Sequence, residues 1–97
     1  MGMSEIVAKA VEKLSAKVGT SFDAVAKFVI KGEGSIMMDS QGVRAGDEEA
    51  DVTMTATAET FIGILEGDVN PTMAFMTGKL KVDGSMGLAM KVGSALS

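Results

Sequence analysis

The sequence predicts an α+β domain in which helices cover one face of a sheet built from three or four antiparallel strands followed by one more. Segments with helical periodicity stand at the start, in the second half and at the end, while alternating apolar and polar residues mark the segments between them. Twelve glycines and a single proline predict tight turns between the elements. We expect one domain over residues 1–97, with residues 1–3 partly a cloning addition ahead of a native start at Met3.

The first predicted element is an amphipathic helix of about fourteen residues. Apolar side chains recur at helical spacing from Ile6 to Val18, while lysines and Glu12 occupy the opposite side. Ser4 is a suitable N-cap and Gly19 a suitable end. We expect this helix to pack on the sheet. A helix that lies on a membrane surface stays open as an alternative, because lysines flank the polar face.

Three short strands are expected next, paired as an antiparallel meander. Residues 24–31 alternate between apolar and polar side chains, as a half-exposed strand requires. Turns that contain glycine, at residues 32–34 and 40–42, separate this strand from two shorter ones, the last over residues 43–45.

An acidic run then leads into a fourth strand. Residues 47–51 carry four carboxylates, which raises the question of a calcium site. They lack the alternate-residue spacing and the distal glutamate of a known calcium loop, so a solvated connection is the favoured interpretation. Residues 52–56 alternate and are rich in β-branched side chains, which favours a strand.

The second half of the chain predicts three helices around one strand. Thr57 is a suitable cap for the first of them. Asn70 followed by Pro71 starts the second, because asparagine caps well and proline is tolerated at the first helical position. A glycine ends each of these two helices. The alternating residues 79–83 form a fifth strand, and the last helix extends to Leu96.

Methionines are concentrated on the two helices that flank the fifth strand. These four are Met73, Met76, Met86 and Met90. Methionine is flexible and polarizable, so it fills irregular space and adapts to ligands of different shapes. Two interpretations stay open, ordinary core packing and the lining of an apolar cavity. A dozen methylenes buried in such a cavity would contribute about 10 kcal/mol before the costs of binding.

Several residue types needed for common activities are absent. The chain has no histidine and no cysteine, so the usual general base and the usual transition-metal ligands are missing. A net charge of −4 without Trp or Tyr argues against nucleic-acid binding. We expect no catalytic residue, no metal and no cofactor. No run is long enough to span a bilayer, and we expect a cytoplasmic location.

Recognisable motifs lie close together between Ala50 and Lys91, in the segments Ala50–Thr55, Phe61–Gly67, Asn70–Pro71, Ala74–Phe75, Gly78–Val82, Gly84 and Met86–Lys91. Together and in this order they resemble the sterol carrier protein 2 (SCP2) domain family, and the chain looks like a stand-alone, bacterial-type member. The similarity is weaker over residues 22–46 and negligible over residues 1–18. The segment between residues 32 and 42 is short, so the loops that are longer in the family are trimmed here.

The resemblance implies a five-stranded, mostly antiparallel sheet covered on one face by helices, with an apolar tunnel between them. It also implies non-catalytic binding and transfer of lipids, such as fatty acids, acyl-CoA esters, phospholipids, and sterol-like or isoprenoid molecules. Carried onto the matching positions, the tunnel lining is Phe61, Leu65, Phe75, Met76, Leu80, Val82, Met86 and Met90.

Other functions remain open on the sequence alone. The methionine-rich face is also suited to a protein-interaction module or a homodimer. A lipid-modifying enzyme that uses only carboxylates is a third class. Lys79, Lys81 and Lys91 lie near the expected lipid site, which suggests transient contact with an anionic membrane surface. The lipid and the oligomeric state are not determined by the sequence.

Overall fold

A computed structural model describes residues 5–18 and 22–96. The expected helix cap Ser4 and helix end Gly19 lie outside these residues. The elements follow the predicted order: α1 (Glu5–Val18), β1 (Ala26–Ile30), β2 (Gly34–Asp39), β3 (Gly42–Ala45), β4 (Val52–Ala56), α2 (Ala58–Leu65), α3 (Pro71–Met76), β5 (Leu80–Gly84) and α4 (Met86–Leu96).

The five strands form one sheet in the order β3-β2-β1-β4-β5. The pairs β1–β2, β2–β3 and β4–β5 are antiparallel, which confirms the expected meander and the mostly antiparallel sheet. Of the two sequence alternatives, three or four antiparallel strands, the structure has three, because β4 lies parallel to β1, with Ala26 opposite Val52. The reason is the connection over residues 46–51. It carries the chain from the β3 edge back across the sheet, so β4 enters in the same direction as β1.

The acidic connection packs across the sheet face opposite the helices. Met37 is fully buried on that face, and its sulfur accepts a hydrogen bond from the backbone N–H of Glu48 at 3.5 Å. The Lys27 ammonium forms an ion pair with Asp47 at 2.8 Å. The carboxylates of this segment remain exposed. The connection is therefore solvated on its outer side and covers one apolar side chain on its inner side.

The main core lies between the sheet and helices α1, α2 and α4. Val7, Ala10 and Leu14 recur at helical spacing on the buried side of α1. The rings of Phe28 on β1 and Phe61 on α2 pack with their centroids 5.2 Å apart. Aromatic pairs of this kind contribute about 0.5–1.5 kcal/mol beyond the burial of their area.

Side-chain caps set where α3 and α4 begin. The Asn70 side-chain oxygen accepts hydrogen bonds from the backbone N–H groups of Thr72 at 2.9 Å and Met73 at 3.2 Å. The Ser85 hydroxyl accepts one from Leu88 at 3.2 Å. These bonds satisfy N–H groups that have no partner within the helix, and they fix the start of each helix that flanks β5.

Candidate functional site

A cavity of about 460 Å³ lies at the β5 edge of the sheet, between the sheet and helices α3 and α4. Its lining is Met54, Pro71, Thr72, Phe75, Met76, Leu80, Val82, Met86, Ala89, Met90, Gly93 and Ser94. None of these side chains is charged. Apolar atoms therefore dominate the interior, and the hydroxyls of Thr72 and Ser94 are its polar side-chain groups.

The floor of the cavity is formed by neighbouring strands. Met54 on β4 lies opposite Val82 on β5, and Leu80 lies opposite Ala56. Because side chains alternate between the two faces of a strand, Met54, Leu80 and Val82 all point towards the helices. Met54 and Leu80 are buried, and Val82 is half-buried.

The two walls of the cavity come from α3 and α4. On α3, Phe75 and Met76 stand three and four residues after Thr72, so these side chains share one face. On α4 the lining residues Met86, Ala89, Met90, Gly93 and Ser94 recur at the same helical spacing. The small side chains of α4 leave the space that forms the cavity, and the methionines border it.

The cavity is open to solvent on the side bordered by methionines. Met76 and Met90 are 72% and 73% exposed, and Met86 and Phe75 are 49% and 41% exposed. Met73 on α3 is also exposed, at 56%, but lies outside the cavity lining. A group of exposed apolar side chains at one place is uncommon on a monomer surface and marks an interaction or ligand site.

Asp51 holds the turn between β5 and α4 in place. Its backbone carbonyl accepts a hydrogen bond from the Ser85 N–H at 3.1 Å. A Cβ at Gly84 would lie 2.5 Å from the same carbonyl oxygen, and the φ of Gly84 is +100°. Only glycine allows this close approach in this backbone conformation. The contact sets α4 over the floor of the cavity.

Six of the eight residues that the resemblance implies as lining meet at this cavity: Phe75, Met76, Leu80, Val82, Met86 and Met90. The other two, Phe61 and Leu65, lie elsewhere. Both belong to the buried core on α2, and Phe61 packs against Phe28. A role of these two in lipid contact stays a prediction.

Sequence reasoning missed the small and polar members of the lining. Ala89 and Gly93 follow Met86 at intervals of three and seven residues on α4, and Thr72 precedes Phe75 by three. Helical spacing could have found them. The predicted lining consisted of large apolar side chains, whereas small residues create the space of a cavity. Met54 on β4 also lines the cavity and was not among the predicted lining residues.

Among the described residues, the two groups with shifted pKa values, Asp39 and Arg44, lie at the other edge of the sheet. The Arg44 guanidinium donates two hydrogen bonds to the Asp39 carboxylate, at 3.1 and 3.0 Å, and lowers the pKa of Asp39. The backbone N–H of Gln41 adds to this effect at 2.9 Å. The same ion pair raises the pKa of Arg44. These groups stabilise the β2–β3 turn, far from the cavity.

Within residues 5–18 and 22–96, no group of three or more Asp and Glu side chains is placed to hold a metal ion. Over the same residues, none of the helices is long and apolar enough to cross a bilayer.

Comparison with known proteins identifies relatives over nearly the whole chain. The model of the SCP-2 sterol transfer family matches residues 4–97. Peroxisomal multifunctional enzyme A of Dictyostelium discoideum is 40% identical over 83 residues, which cover 86% of this chain and 18% of that protein. Human hydroxysteroid dehydrogenase-like protein 2 is 38% identical over 89 residues, which cover 84% of this chain and 21% of that protein. The chain thus spans about a fifth of the length of these curated relatives.

Solved structures share the fold. Sterol carrier protein 2 like 2 of Aedes aegypti has a TM-score of 0.77 at 24% identity and covers 92% of this chain and 94% of its own. Sterol carrier protein 2 of the same species, in complex with palmitate, has a TM-score of 0.77 at 20% identity, and the match covers 98% of this chain and 97% of that one. The sterol carrier protein domain 2 of Helicoverpa armigera has a TM-score of 0.64 at 30% identity, and the match covers 97% of this chain and 79% of that one.

Proposed function

The chain belongs to the SCP-2 sterol transfer family, and on this premise we propose that it binds hydrophobic lipids in the cavity beside β5 and transfers them without chemical change. The observation that carries the proposal is the cavity lining. Methionine, phenylalanine and aliphatic side chains surround a volume of about 460 Å³ with no charged group among them. Such a lining favours an apolar ligand, because burial of apolar surface is the interaction it offers.

The expected affinity follows from the burial of an alkyl chain. Each methylene removed from water contributes about 0.8 kcal/mol, so a dozen contribute about 10 kcal/mol. Association and ordering cost at least about 4 kcal/mol. The remainder is at most about 6 kcal/mol, which corresponds to dissociation constants of about 40 μM or weaker.

The ligands that we propose are fatty acids first, with acyl-CoA esters, phospholipids, and sterol-like or isoprenoid molecules as further candidates. The palmitate complex of the Aedes aegypti relative supports a fatty acid. Flexible methionines at the opening can adjust to chains of different width. We therefore expect broad selectivity rather than one preferred lipid.

A non-enzymatic role is part of the proposal. The whole sequence contains no histidine and no cysteine, which removes the side chains that most often act as base or nucleophile at neutral pH. The curated relatives include a multifunctional enzyme and dehydrogenase-like proteins, of which this chain matches about a fifth. We propose that the matched region serves them as a lipid-binding part.

Uptake of a fluorescent fatty acid and native mass spectrometry test the proposal. A Met90→Glu variant should lose most of its affinity, because a carboxylate at the cavity opening must lose solvent when the lipid binds. Met73→Glu is the matched control, since Met73 is also an exposed methionine on a helix that flanks β5 but lies outside the lining. Absence of lipid uptake by the unmodified protein, or equal losses in both variants, would contradict the proposal.

A homodimer or a protein complex formed through the exposed methionines is the second candidate function. It is favoured by the exposure of Met76, Met86 and Met90, which a partner could cover. Sedimentation velocity separates the two candidates. A tight dimer that dissociates on Met86→Glu would support an interface, whereas a monomer that takes up lipid supports the cavity as the functional site.

Contact with an anionic membrane during lipid exchange is a further part of the proposal. Residues 70–97 contain three lysines, Lys79, Lys81 and Lys91, and one acidic residue, Asp83, a net charge of +2 in a chain of net charge −4. Lys91 is paired with Asp23 at 3.2 Å, while both side chains stay exposed. Transfer between vesicles should accelerate with their content of anionic lipid. A rate independent of vesicle charge would refute this contact. The cytoplasmic location remains a prediction.

A further inference from the structure

A second recess lies beside the cavity, on the other side of the edge strand β5. It has a volume of about 550 Å³ and is lined by Lys31, Thr55, Phe75, Gly78, Leu80, Lys81, Val82 and Asp83. Phe75, Leu80 and Val82 also line the cavity described above. The two spaces are therefore neighbours that share apolar walls.

The register of β5 explains how one strand serves both spaces. Leu80 and Val82 face the helices, whereas Lys81, which lies opposite Thr55 on β4, faces the other side of the sheet. β5 is the last strand of the sheet, so no further strand separates the two sides at this edge. An elongated ligand can pass around β5 and remain in contact with Phe75 and Val82.

The recess differs from the cavity in its charges. Two lysines, Lys31 and Lys81, and one aspartate, Asp83, border it, and the cavity has no charged residue. Both lysines are exposed, and neither forms an ion pair with another residue in the described ranges. An alkyl chain in the cavity would thus place its polar end beside two unpaired ammonium groups.

We propose that this recess binds the anionic head of the lipid, a carboxylate or a phosphate, through Lys31 and Lys81 while the chain occupies the cavity. The inference rests on the proposed lipid binding and narrows it to anionic amphiphiles. Neutral lipids of the same chain length would bind through the cavity alone. The Asp83 carboxylate repels the anionic head, so it limits how much more tightly anionic lipids bind than neutral ones.

The test compares lipids that share one chain and differ only in the head. Binding of dodecanoate, dodecyl phosphate and dodecanol is measured by competition against a fluorescent fatty acid at mildly alkaline pH and low salt. Exposed ion pairs are worth about 1.4- to 5-fold each. With two lysines opposed by one aspartate, we expect the anions to bind about three- to tenfold more tightly than the alcohol.

The variants decide whether these lysines are responsible. Lys31→Gln combined with Lys81→Gln should reduce the ratio of the affinity for the anions to the affinity for dodecanol to about one. Asp83→Asn should increase this ratio. The matched control combines Lys9→Gln with Lys17→Gln, two exposed α1 lysines, so the net charge changes equally and the preference should persist.

Three outcomes would overturn the inference, and a fourth concerns the proposed function. Equal binding of all three lipids, or a preference that survives in the Lys31/Lys81 variant, would show that the recess holds no head group. Binding of inorganic phosphate through Lys31 and Lys81 while all three lipids bind equally would assign the recess to free phosphate instead. Failure of every lipid to bind would refute the lipid-binding function itself, together with the recess.

Discussion

Replacement of Gly93 by leucine should narrow the proposed lipid site without weakening the fold. Gly93 lies on the α4 wall of the cavity, and a Cβ at this position meets no other atom within 4 Å. Leucine adds four carbon atoms there. Since the surrounding space is open, the added side chain can extend into the cavity without displacing its neighbours.

The magnitude follows from the methylenes that leucine would exclude. If the added side chain displaces four ligand methylenes, the loss is about 3 kcal/mol at 0.8 kcal/mol each, or about 100-fold in affinity. Rearrangement of the flexible, exposed Met90 reduces this loss, so the figure is an upper limit. Stability should change in the opposite direction, because leucine favours a helix interior over glycine by up to about 1 kcal/mol.

Two measurements on the same samples separate the effects. Binding is measured for saturated fatty acids of increasing length, and unfolding is followed in urea. Longer chains should lose most affinity, so the preferred length shifts towards shorter acids. Gly87→Leu is the matched control, since Gly87 lies on α4 outside the lining and should leave binding unchanged. Undiminished binding of long chains by a stable Gly93→Leu protein would refute the placement of the ligand in this cavity.

Three further predictions concern the elements that hold the site. Gly84→Ala should lower the free energy of unfolding in urea by about 2–4 kcal/mol. The reason is that the added Cβ would lie 2.5 Å from the Asp51 carbonyl oxygen, at a residue with a positive φ. A loss below about 1 kcal/mol would contradict this close approach. Asn70→Ala removes the cap of α3 and should cost about 1 kcal/mol, seen as a lower Tm, whereas Asn70→Asp should retain most of the stability. The pKa of Asp39 is held below its ordinary 3.8 by Arg44, so its contribution to stability is complete above that value and is lost as the pH falls through the lowered pKa. Asp39→Asn should therefore flatten the acid limb of a stability–pH curve, and an unchanged limb would refute this role.

Local signals in the sequence predicted most of the elements and their ends. The Asn70 cap and the glycine turns depend on a few neighbouring residues, so they can be read from sequence. The parallel pairing of β4 with β1 could not, because alternation identifies a strand but not its neighbour in the sheet. Met37 shows the same limit. Met37 is buried between two buried neighbours, which interrupts the alternation, and the segment around Glu48, eleven residues further along the chain, covers it.

Helical periodicity identifies the apolar face of a helix, but it does not show which residues of that face border the candidate site. Phe61 and Phe75 both lie on helical apolar faces, and periodicity alone treats them alike. In the structure Phe61 is buried against Phe28, whereas Phe75 borders the cavity and is 41% exposed. Whether an apolar face meets a core or an open space depends on the packing of distant elements. The sequence pattern of one helix does not contain that information.

The hydrogen bonds of Asp51 indicate the order in which parts of the fold form, because they join positions far apart in the chain. Its backbone N–H donates to the Val25 carbonyl at 2.8 Å, its carboxylate accepts from the Val25 N–H at 3.1 Å, and its carbonyl accepts from the Ser85 N–H. These bonds close long loops, whereas the β1–β2–β3 meander needs only short ones. Contacts between distant positions form slowly because loop closure must precede them. We therefore expect the meander to form early and the β5–α4 turn to dock last, so that the cavity is completed on a scaffold that already exists.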